Sequence, residues 1–361
     1  MSAALSFLDA PTALEGDWPS AEHFLGGSGI IADILDGKLV VWGGEQQQDD
    51  RSIKALPNEA VYTYDLAHQS FRDGNITGTW KRMMATGRVH SSSIHATSVL
   101  CDNILYIFGG KKGDSELTDY LSTLSSSGRF ERLRPKGDVR PPPTYRAGGW
   151  SYGGRIYFLG GLVHRIDETR PGDYVKCWSE FYTKDLYQYD PVRNEFFLLA
   201  TTGVGPSPRS DFGVAIIDDQ VYVHGGHSGP VGRPLSDFFV LDMKSLRWTV
   251  IKETGFSSRI DGHSLSTISA SQLLLIGGIS RRRCGSSSST ASWKVFNVNE
   301  AEWSEEEPLS PTFGFGGALM SHRAVTRQEE NGVTVICVGG RLGSYYDFKH
   351  PDHMAVLEFP P

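Results

Sequence analysis

Apolar runs of four to six residues recur along the chain, and each stops on two consecutive glycines. "KLVVWGG" ends at Gly43-Gly44, "ILYIFGG" at Gly109-Gly110, "RIYFLGG" at Gly160-Gly161 and "QVYVHGG" at Gly225-Gly226, while "QLLLIGG" and "VTVICVGG" end at Gly277-Gly278 and Gly339-Gly340. Glycine weakens a strand, so an abrupt doublet marks a sharp bend or a close approach of another backbone. Other doublets such as Gly153-Gly154 lack the preceding apolar run.

The first glycines of successive doublets are 66, 51, 65, 52 and 62 residues apart. Each copy keeps one order of neighbours. In the fourth, Phe212 to Ile217 reads as a first strand, Val221 to His224 as a second, Phe238 to Leu241 as a third and Arg247 to Ile251 as a fourth, with Asp218-Asp219 as a turn signal. Third strands line up at "VYTYDL" (61–66), "LYQYDP" (186–191), "FFVLDM" (238–243) and "KVFNVN" (294–299), and Trp80, Phe196, Trp248 and Trp303 supply a large aromatic to the fourth. A lone four-stranded sheet leaves both faces exposed, so such units must bury one another. With a period of roughly 50 residues, this pattern resembles the kelch motif over nearly the whole chain. The resemblance implies an all-β, six-bladed propeller of four-stranded antiparallel blades. The chain stops at Pro361 soon after "HMAVLEF" (353–359), one strand short, so residues 1–26 are expected to supply the closing strand, from Leu5 to Leu8 or near Trp18. Residues 27–361 complete the same domain.

Composition fits one turn-rich β domain, with 41 Gly, 18 Pro and 39% hydrophobic residues in 361. Thirty-five Lys and Arg against 42 Asp and Glu give a net charge of −7, which does not favour nucleic acid as a general partner. No signal-peptide pattern and no apolar run approaching a membrane span occurs, so a cytoplasmic or nuclear protein without membrane insertion is expected.

Chemistry is sparse. Cys101, Cys177, Cys284 and Cys337 are too scattered for a zinc pair or disulfide framework and read as reduced thiols, Cys337 in a strand. Cys284 lies in "RRRCGSSSST", placed on a loop between second and third strands. It reads as a flexible solvated loop or as basic residues for an acidic partner beside phosphorylatable serines. His350 and His353 in "KHPDHM" read as loop residues, not metal ligands. There is no nucleophile elbow, phosphate loop or dinucleotide fingerprint. A non-enzymatic protein, without cofactor, metal or catalytic residues, is the expectation.

Polar residues gather in loops of one face: Arg146 in "PPPTYRAGGW", Arg209 in "PSPRSDFG", His227 and Arg233 in "GGHSGPVGR", and Arg259, Asp261 and His263 in "SSRIDGHS". Converging arginines can hold a carboxylate by paired N–H bonds. Arg209 and His263 are expected to bond neighbouring loops instead. "RAGGWSYGGRIYFLGG", "TTGVGPSPRSDFGVAI" and the insertion from Leu162 to Thr183, with Trp178, Phe181 and Tyr182, are similar to the kelch-domain-containing receptors that recognise protein C-termini for cullin-RING ubiquitin ligases. That resemblance implies a peptide site using Arg146 as a basic residue, Tyr182 as an aromatic wall, and Arg233 with His227 at the clamp positions. Where the family has a serine and a tryptophan, this chain has Asp261 and Gly262. Elongin and cullin components are the implied partners, although the ligase-binding segment expected after the last blade has no counterpart beyond "LEFPP". Two other classes stay open: a kelch-only scaffold or effector in trafficking or the cytoskeleton, and an enzyme.

Overall fold

The computed structural model describes residues 4–8, 14–15, 27–47, 53–56, 58–66, 80–91, 93–113, 116–165, 167–177, 179–229, 233–255, 259–281, 287–288, 292–309, 318–330, 332–343, 348–349 and 354–359. Trp18, Trp178, Cys284, His350 and His353 lie outside the described residues. Among those described the structure is all-β, with a single 3-10 turn at Pro171–Asp173.

Six sheets repeat one antiparallel meander. The first runs Ile31–Leu35, Lys38–Trp42, Ala60–Asp65, Trp80–Met84. The next four begin with Thr97–Cys101, Gly148–Tyr152, Gly213–Ile217 and Ser264–Ser269. In the sixth, Arg323–Glu329, Gly332–Val338 and Met354–Phe359 are followed in space by Ala4–Leu8, whose register sets Ala4 opposite Glu358 and Leu8 opposite Met354. Leu5 to Leu8, one of the two N-terminal stretches expected to supply a strand, lies in this pairing. Short linker segments also latch forward: Thr86–Gly87 runs parallel to Arg129–Arg132, and Thr202–Gly203 to Arg247–Val250.

The core is divided into slabs between neighbouring sheets. Trp42 and Val61 of the first sheet pack with Ile107 and Phe130 of the second, and Phe108 of the second with Phe158 and Phe196 of the third. Further slabs join the third to the fourth, the fourth to the fifth and the fifth to the sixth, and a last one sets Val325 and Ile336 of the sixth sheet among Val41, Tyr64 and Trp80 of the first. The second strands, covered on both faces, are almost continuously apolar and buried. Fourth-strand aromatics reach back to the preceding sheet: Phe130 lies 4.9 Å from Trp42, and Trp303 lies 5.9 Å from Phe238.

The glycine doublets tie the slabs together. Gly225 and Gly226 have φ of 59° and 94°. The Gly226 N–H donates to the Ile260 carbonyl, just ahead of the next sheet, at 2.8 Å. A Cβ on Gly225 would lie 2.6 Å from that same oxygen, so only glycine fits. The other five doublets repeat the bond, to Ser93, Thr144, Arg209, Leu319 and Gly27.

Candidate functional site

Two residues ahead of each first strand stands one residue in the left-handed region: Gly29, His95, Arg146, Asp211, Gly262 and Ser321, with φ between 51° and 67°. Their backbones form a circle of hydrogen bonds. His95 donates to Gly29 (3.1 Å), Arg146 to His95 (3.0 Å), Asp211 to Arg146 (3.4 Å), Gly262 to Asp211 (2.9 Å), Ser321 to Gly262 (2.9 Å), and Gly29 to Ser321 (3.0 Å). Four of the six are not glycine, and a left-handed backbone is uncommon for arginine or serine. Such strain gathers at functional sites.

This rim surrounds a cavity of about 240 Å³ lined by rim residues and by the starts of the first strands. The circle brings His95, Arg146 and Asp211 side by side. Arg146 reaches Asp211 through contacts of 3.3 and 3.4 Å, and its other terminal nitrogen lies 3.1 Å from His95 Nε2. The same Nε2 stands 3.2 Å from Glu45 Oε1. Glu45 and Arg341, each the first residue after a doublet, form an ion pair, and Arg341 Nε donates to Ser28 Oγ at 2.8 Å.

Burial alone would raise the Glu45 carboxyl. A hydrogen bond with His95 and the positive charges of Arg341 and Arg146 overcome it and hold the group below the usual carboxylate range. Burial likewise opposes ionisation of Asp211, but Arg146 beside it wins and lowers its pKa. His95 is lowered by burial and by Arg146, so at neutral pH it is uncharged. A neutral His95 cannot serve both neighbours through one nitrogen. With Nε2 bare it accepts from Arg146 and faces the Glu45 oxygen; with Nε2–H it donates to Glu45 and faces the Arg146 donor.

The predicted residues fall as follows. Arg146 is on the rim. His227 follows the fourth doublet, half-buried, with Nε2 3.8 Å from Asp261 Oδ2, and Asp261 is 3% exposed. Tyr182 belongs to an extra sheet formed by Thr144–Tyr145, Leu162–Val163, Glu180–Thr183 and Tyr174–Cys177; it is buried against Tyr145 and Leu162, with its ring 6.1 Å from His227. Arg233 pairs through its backbone with Ser228, its side chain being outside the described residues. Arg259 is exposed and does not line the cavity. Arg209 is committed to the fold: it is buried, bonded to the Gly225 carbonyl and paired twice with Asp237. Sequence reading did not single out His95, Asp211, Glu45 or Arg341. Aligning the copies two residues ahead of the first strand and one residue after the doublet would have placed all four in two columns.

The arrangement offers polar recognition. Among the described residues no group of three or more His, Cys, Asp and Glu could hold a metal. Residues 172–340 match the family model described as the KLHDC2/KLHL20/DRC7 Kelch-repeats domain. Kelch repeats are thus recognised over that part of the chain, and its relatives support the kelch-repeat family. The chain is 26% identical over 267 residues to Kelch domain-containing protein 2 of Bos taurus, covering 70% of this chain and 63% of the relative. With the Homo sapiens protein of that name it shares 27% over 214 residues, 55% of this chain and 50% of the relative. The chain thus spans less than two thirds of the curated relatives it matches. Acyl-CoA-binding domain-containing protein 4 of Arabidopsis thaliana is 29% identical over 178 residues, 45% of this chain and 25% of the relative. The solved structure of YjhT superposes with a TM-score of 0.63 at 14% identity, covering 92% of this chain and 94% of that one, which is a likeness of fold. The kelch repeats therefore build a β-propeller. Among the described residues no helix is long and apolar enough to cross a membrane.

Proposed function

We propose that the chain is a six-bladed propeller in one domain, its last blade closed from within residues 1–26 by Ala4–Leu8 while Leu14–Glu15 runs beside Trp80–Lys81 of the first sheet, and that it is a non-enzymatic protein-binding module taking a peptide at the rim. The circle of six backbone hydrogen bonds supports the blade number. Arg146 carries the site. It is held by long contacts to Asp211 and by an imidazole that cannot satisfy both its neighbours, so an incoming C-terminal carboxylate gains Arg146 while His95 turns its proton to Glu45. His227 and Asp261 lie on the same face, and Arg233 adjoins it through Ser228. Resemblance to the ligase receptors suggests a substrate receptor working with elongin and cullin components in the cytoplasm or nucleus.

A second reading rests on charge. Arg146 faces Asp211 and Arg341 faces Glu45, so the rim is close to neutral, as suits a scaffold docking a broad polar surface. Peptides differing only in a free or amidated C-terminus separate the two. The receptor reading expects amidation, or R146E with R233E, to weaken capture by about tenfold or more. Equal capture of both peptides would leave the scaffold reading standing.

A further inference from the structure

Arg323 opens the first strand of the sixth sheet, two residues beyond Ser321 of the rim, and lines the same cavity. Its Nη2 donates to the Ser98 carbonyl, in the first strand of the second sheet, at 2.9 Å. The side chain therefore bridges the first strands of the sixth and second sheets. Ser98 is available because every first strand is an end member of its sheet, leaving one backbone edge without a neighbouring strand.

What Arg323 lacks is a counter-charge in contact. Among the described residues no carboxylate lies within the 4.0 Å of an ion pair. Asp33 acts on it only from farther away, and Asp33 Oδ1 already accepts the Ile34 N–H at 2.9 Å. Burial lowers the pKa of Arg323 against the pull of Asp33, and raises that of Asp33 against the pull of Arg323, so neither charge is fully compensated by the other. The rim differs, since Arg146 and Arg341 each have a carboxylate partner. A half-buried cation whose one hydrogen-bond acceptor is neutral can take an anion.

The space is present. The cavity is far larger than the about 10–15 Å³ that admits one water, and Gly148, Gly149 and Gly213 leave its wall without side chains there. The hydroxyls of Thr97 and Ser264 are already engaged, with the Ala147 carbonyl and His322, and Arg146 of the same lining is paired with Asp211, so Arg323 is the lining arginine without a carboxylate in contact among the described residues.

We propose that the cavity binds a small oxyanion of carboxylate or phosphate size, seated on the Arg323 guanidinium. The site does not depend on the peptide reading of the rim. The oxyanion can be a free ion or the end of a chain, and two arms of one experiment distinguish them. Thermal unfolding of the full chain is followed with 10 mM inorganic phosphate against chloride at matched ionic strength, and with a short peptide ending in a free or an amidated carboxyl, with the concentration set on the order of ten times a millimolar Kd. Phosphate is expected to raise the Tm by about 2 °C or more, and R323M, which keeps the apolar stem, is expected to abolish the shift. A shift also produced by the free but not the amidated peptide assigns the seat to a chain terminus; a shift with phosphate alone assigns it to a free ion. No shift in the wild type, an equal shift in R323M, or loss of the shift in R146Q with retention in R323M would overturn the proposal. Should R323M not fold, R323K keeps the charge and loses the planar fork. The shift is then expected to fall by about half or more, and an unchanged shift overturns the proposal equally.

Discussion

Glu253 lies beneath the aromatic of the fifth sheet's fourth strand, accepting the indole N–H of Trp303. Burial pushes its carboxyl up from 4.5 to about 7, aided by Asp237 and opposed by the Trp303 bond and Lys294. A raised folded-state pKa means the native protein binds a proton that the unfolded chain has released between those two values. Stability from this group therefore falls as pH rises from about 4.5 to 7 and stays low above. Glu253→Gln, always neutral, is expected to gain on wild type by about 1 kcal/mol between pH 5 and pH 8 after allowance for solvent screening; urea titrations at both pH values read the difference, and parallel pH profiles would count against it. The polar character of the rim was legible at this scale, since Arg146, His227 and Asp261 stand in loops around the glycine signals. Their pairing was not. Arg341 meets Glu45 across 296 positions of sequence, a pairing that no local signal encodes.

Elements were more legible than residues because strand period and glycine are local signals. The fourth copy's four strands fall at Gly213–Ile217, Gln220–His224, Phe238–Asp242 and Arg247–Val250, within a residue or two of where alternation and turns placed them. The sheet built on the third insertion was not anticipated. Its strands are two to four residues long, too short for a period, and part of their order comes from Arg170, which bonds Asp173, Asp185 and Tyr174. The doublet gives this scale its sharpest test. Gly225→Val forces a β-branched residue to φ of 59° and drives its Cβ into the Ile260 carbonyl. Gly229→Ala meets open space at φ of 92° and carries only the backbone strain. The first is expected to destabilise by about 3 kcal/mol or more and the second by about 1 kcal/mol. Circular dichroism melts compare them, and equal losses would mean the inter-sheet bond contributes nothing.

For the whole molecule the decisive contact is between the ends of the chain. Ala4–Leu8 completes the sixth sheet on the free edge of Met354–Phe359, and the slab behind that sheet joins Val356 to the core of the first. Contacts in the other five sheets join neighbours in sequence, so they can form in turn; this one closes the longest loop in the chain, and its entropic cost grows only slowly with loop length. Once closed, no terminal slab remains to fray, and the six sheets should unfold as one cooperative unit. Removing residues 1–8 leaves an apolar edge strand unpaired, which lowers stability and invites pairing with a second chain. The truncated protein is expected to melt about 5 °C or more below the full chain, with a broader transition and concentration-dependent association by light scattering. A sharp transition at the original temperature would show that Ala4–Leu8 is an ornament on a ring already held by its other contacts, and the assignment of residues 1–26 as the closing segment would fall with it.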